Sequence, residues 1–357
     1  MAIRIGLGAI GVALLATASV CLTSGCSSLG YYVQSARGHL DLVRSARPVA
    51  AWQADPATPA ALKERLALSQ RIRDFAVAEL HEPDNASYRR YADLHRSAAV
   101  WNVVAAPELS LTLQTWCFPV VGCVGYRGYY ARAPADAFAD GLRAQGREVS
   151  VYGVPAYSTL GWLPFDRLAD PLLNTFIDYP EGELARLIFH ELAHQVAYAK
   201  GDTVFNESFA VAVERIGGRR WLSEHADAQV RADDVRLQAR RAEFRALTMR
   251  YRAELDALYR SALDDQAKRA RKQEVMARLR ADCAVLKAER WGGFSGYDGW
   301  FARANNASFG VLAAYNELVP NFERLFEREG RDFERFYGEV KRLAALPHNE
   351  QRRAALP

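Results

Sequence analysis

His190-Glu191-Leu192-Ala193-His194 places two imidazoles at positions i and i+4, with a carboxylate beside the first. On an α-helix this spacing brings both histidines onto one face, one turn apart, where they can share a single zinc ion. Zinc lowers the pKa of a bound water towards neutrality. A neighbouring carboxylate such as Glu191 can then take the water's proton and later deliver it to a leaving amine. The chemistry implied is metal-assisted hydrolysis. A five-residue pattern also arises by chance, so its flanking sequence decides its weight.

The flanks predict a helix over Glu183 to Tyr198, with Leu184, Ile188, Leu192 and Val196 recurring every four residues as an apolar stripe. His190, Glu191 and His194 fall off that stripe. Pro180 precedes the helix, Glu181 and Glu183 suit its first turn, and Lys200-Gly201 suits its end.

A hydrolytic zinc site needs a third protein ligand and an open fourth position. In Phe205-Asn206-Glu207-Ser208-Phe209-Ala210, Asn206 is positioned to cap a second helix that returns Glu207 to the histidines from its first turn. This segment resembles the third-ligand helix of the gluzincin peptidases, with Ser208 where that pattern has glycine. Its connection from His194 is shorter than in the thermolysin and alanyl-aminopeptidase groups. Glu214 is the rival ligand, seven residues after Glu207 and on much the same face. Glu207 is preferred, and Glu214 then serves as a hydrogen-bond partner that fixes the tautomer of a ligand histidine.

Residues 1–25 read as a lipoprotein signal peptide: Arg4, an apolar run from Ile5 to Leu22, and small residues before Cys26. Cys26 is then the lipidated first residue of the mature chain. Ser27 and Ser28 after it favour the outer membrane of a Gram-negative bacterium, with the body facing the periplasm. Cys117 and Cys123 flank a turn-bearing stretch and are expected to form a disulfide in that oxidising compartment, while Cys283 on a helical run reads as a shielded thiol. Half of the residues are hydrophobic, a quarter are charged, and the formal net charge is +4. That balance argues against nucleic-acid binding. After the leader no apolar run is long enough to span a membrane, so attachment rests on lipid.

The remaining sequence divides by composition. Residues 26–98 form a helical region, with helices expected at Tyr31 to Ala51 and Ala60 to Leu80. The lone residues His39, His81 and His95 read as non-ligands. Residues 99–220 form the catalytic core, where strands are expected at Trp101 to Ala105, Leu109 to Trp116, Val121 to Tyr130 and Val149 to Tyr157, and a helix at Ala135 to Gly146. Gly153 to Gly161 is the candidate edge and rim against which an extended substrate would pair, Pro155 favouring an edge position. Residues 221–290 read as a helical hairpin turning near Leu263 to Lys268. Residues 291–357 read as a C-terminal helical region whose end frays beyond Leu346. The fold class expected is α+β: mainly helical, with a small antiparallel sheet beside the His-Glu helix and a long helical hairpin after it.

The lipobox, Gly30-Tyr31-Tyr32, Gly122-Cys123-Val124-Gly125-Tyr126-Arg127-Gly128-Tyr129, the His-Glu helix and Asn206-Glu207-Ser208-Phe209-Ala210 together resemble a family of bacterial lipoproteins termed predicted aminopeptidases. The resemblance spans nearly the whole chain. It implies a zincin-like metallopeptidase holding one zinc and acting on peptides or exported proteins, with no obligate protein partner inferred. The Gly-x-Met-Glu-Asn-like strand by which alanyl-type aminopeptidases hold the substrate amine is absent from Val149 to Gly161. An envelope endopeptidase and a non-catalytic lipoprotein with a structural zinc therefore stay open as alternatives. Tyr198, Tyr315 and Arg127 are candidate oxyanion donors.

Overall fold

The computed structural model describes residues 30–118, 122–156, 169–314 and 317–357. The expected leader, Cys26, Tyr315 and the rim beyond Ala156 lie outside the described residues. Within them the chain is α+β and mostly helical.

Two helices, Glu181–Val196 and Thr203–His225, carry the His-Glu run and the downstream glutamates. Leu184, Ile188 and Leu192 form the buried stripe that the periodicity requires, but Ala185, Phe189 and Ala193 are buried too. The helix is therefore enclosed on more than one side. Phe189 lies 5.9 Å, ring to ring, from Phe75 of the Ala60–Ala78 helix, and Phe75 meets Trp221 edge-on at 5.3 Å. Each such side chain taken out of water contributes about 2 kcal/mol. A glycine pair lets the second helix come close: a Cβ on Gly218 would stand 2.7 Å from Arg186 Cγ, and one on Gly217 would stand 3.0 Å from Phe189 Cδ2. Gly218 faces Arg186, Glu214 faces His190 and Glu207 faces His194, so the two helices run antiparallel.

Beside this pair lies an antiparallel sheet in which Val100–Pro107 is flanked by Arg127–Tyr129 and Arg147–Val154. Alternation along the central strand sends Val103 and Ala105 against the Arg132–Ala144 helix, and Val104 and Ala106 towards Ala307 of the Asn306–Ala314 helix. Both faces are covered. Arg147–Val154 is an edge strand, and Pro155 follows where a missing N–H costs no ladder bond. A second sheet of Arg47–Pro48, Arg90–Ala92 and Leu172–Leu173 contains one parallel pair, so the strand pairing is not wholly antiparallel.

Several expected boundaries move. The Leu109 to Trp116 strand is absent: only Trp116–Phe118 pairs, with Gly122–Val124, while Leu113 packs at Gly310. The first helix stops at residue 45, because Arg47–Pro48 joins the small sheet before the chain re-enters helix at Val49–Ala54. The boundary at 220/221 falls inside a helix that continues to His225. The break comes at Ala226-Asp227, where the Asp227 side chain accepts from Val230 N and starts the hairpin of Ala228–Arg260 and Asp265–Glu289. Within the C-terminal helical region, Gly330, at φ +76°, separates Val319–Arg328 from Phe333–Ala344. The tail beyond Leu346 is anchored rather than frayed. Buried Arg352 of the Asn349–Ala355 helix pairs with Asp202 at 3.3 Å, and Asn321 Nδ2 donates to Pro357 O at 2.7 Å.

Candidate metal centre

His190 and His194 turn their Nε2 atoms towards the same Glu207 oxygen, at 3.3 and 3.7 Å. The three ligand atoms lie within 4.8 Å of one another. His190 Nδ1 is 2.9 Å from Glu214 Oε2, to which its N–H donates, and Nε2 is the ring nitrogen that faces Glu207 and is left for a metal once its own proton is displaced. Two imidazole nitrogens and one carboxylate oxygen are the donor types that a catalytic zinc site takes from protein, so the residues would fit that ion. Their side chains are only 12, 9 and 13 % exposed.

The loop between the two helices explains how twelve intervening residues suffice. Asp202, not Asn206, caps the second helix, accepting from Phe205 N at 3.1 Å. Glu207 is consequently the fifth helical residue, at the start of the second turn rather than in the first. Asn206 instead ties the loop from inside: its Oδ1 accepts from Ala199 N at 2.7 Å and its Nδ2 donates to Ala199 O at 2.9 Å. The disulfide-bonded pair Cys117–Cys123 closes a hairpin against this loop, where a Cβ on Gly122 would stand 2.9 Å from Gly201 N. Gly122 has φ +81°, so glycine is favoured by both conformation and space.

Burial sets the protonation states. It drives the His194 imidazole down to about 4, so that ring is neutral and ready to ligate at neutral pH. Burial would lower His190 as well, but the carboxylates of Glu207 and Glu214 overcome it and hold the ring well above its ordinary value. Glu191 is pushed up to about 7, first by burial and then by Glu207, Asp170 and Glu214, against the opposing charge of His190. A carboxyl near 7 is suited to exchange protons at neutral pH. Its carboxylate makes no hydrogen bond to a described residue, and it lines the same groove as the three ligands.

That groove encloses about 1260 Å³. Val154, Pro155 and Ala156 reach it from the edge strand. Tyr198 also lines it, with a hydroxyl pushed up to about 12 by burial and by Glu207, so it remains a protonated donor. Arg127 is not among the residues that line the groove. Strand alternation turns Tyr126 and Gly128 to the groove and Arg127 to the opposite face, where its guanidinium stacks on Tyr31 at 4.1 Å and Phe138 at 4.6 Å. Two parts of the groove escape sequence reasoning: the wall formed by the first helix through Tyr31, Ser35 and His39, and an arginine-rich end bearing Arg186, Arg215, Arg241 and Arg245. A basic stretch on a charged helix reads as a solvated face, and only the i, i+4 spacing of Arg241 and Arg245 hinted otherwise.

The chain belongs to the family described as "Putative aminopeptidase", whose model matches residues 30–356. The family's description points to peptide hydrolysis. No curated protein and no solved structure matches the chain.

Proposed function

We propose that the protein is a zinc-dependent aminopeptidase of the bacterial envelope, tethered through lipid at Cys26. The observation that carries this reading is the convergence of His190, His194 and Glu207 with Glu191 beside them in one groove. A structural zinc site has no use for an adjacent carboxylate of raised pKa and is closed by four protein ligands, whereas three are found together among the described residues. When bound, zinc supplies Lewis acidity towards a carbonyl and lowers the pKa of water.

The chain's own residues do the rest. Glu214 holds the His190 ring in one orientation. Glu191 accepts a proton from the attacking water and passes it to the departing amine nitrogen. Tyr198 is the groove-lining hydroxyl that can donate to the developing oxyanion. The backbone at Val154 offers an edge along which an extended peptide can pair. Export is supported by the residue 1–26 pattern and by the bonded cysteines.

Purified protein should cleave peptides with a free α-amine and leave their N-acetylated counterparts largely intact. Equal cleavage of both would replace the aminopeptidase reading with an endopeptidase one. Mass spectrometry of the mature N-terminus should find a lipid-modified Cys26, and an unmodified start elsewhere would remove the tether.

A further inference from the structure

We propose that Arg245, with Arg215 and Arg241, forms a carboxylate-binding subsite about three residues from the scissile bond, making the enzyme selective for short peptides that end there in a free carboxylate. The proposal rests on the peptidase reading and adds the substrate class.

Arg186 precedes His190 by four residues and so shares its helix face, while Arg215 follows Glu207 by eight on the antiparallel helix. Arg241 and Arg245 face the same groove from the Ala228–Arg260 helix. These cations are not equally committed. Arg186 is held by Asp234, at 2.5 and 2.8 Å, and by Glu183 at 3.0 Å. Arg241 pairs with Glu183. Arg215 has the carboxylates of Glu323 and Glu214 near it.

Arg245 differs: its guanidinium makes no hydrogen bond or ion pair with any described residue, although it is half-buried. Burial and the charges of Arg215 and Arg241 lower its pKa, which is the electrostatic cost of holding a third cation there. A bound anion relieves that cost. Arginine is also the side chain best shaped to grip a carboxylate through two parallel hydrogen bonds.

The distance selects the ligand. At 1.5 Å per residue, Arg186 lies about 9 Å along its helix from the midpoint of the two histidines, and Arg215 about 12 Å from Glu207. An extended peptide advances about 3.4 Å per residue, so the span is about three residues. An aminopeptidase has only one substrate residue before the scissile bond, which places these three after it. The carboxylate is then the C-terminus of a tri- or tetrapeptide, or an acidic side chain at the same position.

The test uses the full zinc-loaded chain with Glu191→Gln, so that binding is read without turnover. Calorimetry should find tetra-alanine bound roughly tenfold to a hundredfold more tightly than its C-terminal amide, the range expected for a charge-assisted hydrogen-bonded pair. Adding Arg245→Gln should bring that ratio close to one, while Arg245→Lys, which keeps the charge, should retain part of it and so separate loss of charge from misfolding. An amidated peptide with glutamate at its fourth position separates the sources: tight binding assigns the subsite to side-chain carboxylates as well, and weak binding assigns it to the terminus alone. Equal affinity for acid and amide, or a preference unchanged by Arg245→Gln, overturns the proposal. Failure of the wild type to hydrolyse either peptide, with the binding preference intact, would instead overturn the peptidase reading.

Discussion

Replacing Glu214 by alanine probes the difference between holding the metal and holding a ligand. The Glu214 carboxylate lies 2.9 Å from His190 Nδ1, the ring nitrogen that points away from Glu207. Its loss takes a charged acceptor away from a buried N–H and loosens the orientation of the imidazole. Removing such a partner typically lowers metal affinity about 10- to 100-fold, or about 1.4–2.8 kcal/mol. Glu207 is different, since its Oε2 lies within reach of both Nε2 atoms. Glu207→Ala removes a donor and should cost more than the upper end of that range. Glu214→Gln keeps an acceptor but loses the charge, and should fall between wild type and Glu214→Ala. Competition titration of zinc against a chromophoric chelator ranks the variants directly. A loss in Glu214→Ala equal to or greater than that in Glu207→Ala would show that the two glutamates have been given each other's roles.

Two further outcomes follow from the same geometry. Asn206→Ala leaves the buried N–H of Ala199 without its acceptor, while the Ala199 C=O keeps the Asp202 N–H, so chemical denaturation should show a loss of about 1–3 kcal/mol, and an unchanged midpoint would deny Asn206 its place as the loop's tie. The metal-free protein holds a proton on His190 at neutral pH because that ring's pKa is raised, and zinc needs its Nε2 lone pair. Calorimetry at pH 7 in buffers of differing ionisation enthalpy should therefore detect at least one proton released per zinc, with affinity falling as pH falls, and a value near zero would contradict the assignment.

The parts of this protein that can be read from sequence are those in which local pattern and chemistry coincide. The His-Glu helix is one: its apolar period fixes which face is buried, and the histidines fall where a helix would present them together. The helical hairpin is another, since an unbroken Ala-, Arg- and Leu-rich run has few alternatives. What escapes depends on contacts between distant segments. Arg352 and Asp202 are 150 residues apart, and nothing local to either marks a buried pair. Asn206 looks like a helix cap because Asn is favoured there, but Asp202 takes that position and releases Asn206 for the loop. Which of Tyr126, Arg127 and Gly128 line the groove is likewise hidden, since a one-residue shift along a strand exchanges one face for the other. The arginine-rich end of the groove is the extreme case, assembled from three helices, with Arg241 and Arg245 in a stretch whose composition alone suggests solvent.

The central claim is that one zinc sits on His190, His194 and Glu207 and that Glu191 moves the proton. Zinc content and peptide turnover, measured together on wild type, His194→Ala and Glu191→Gln, test it most directly. About one zinc per chain is expected in wild type and in Glu191→Gln, and little in His194→Ala, with turnover reduced by several orders of magnitude in both variants. Full zinc in His194→Ala, or undiminished turnover in Glu191→Gln, would contradict it.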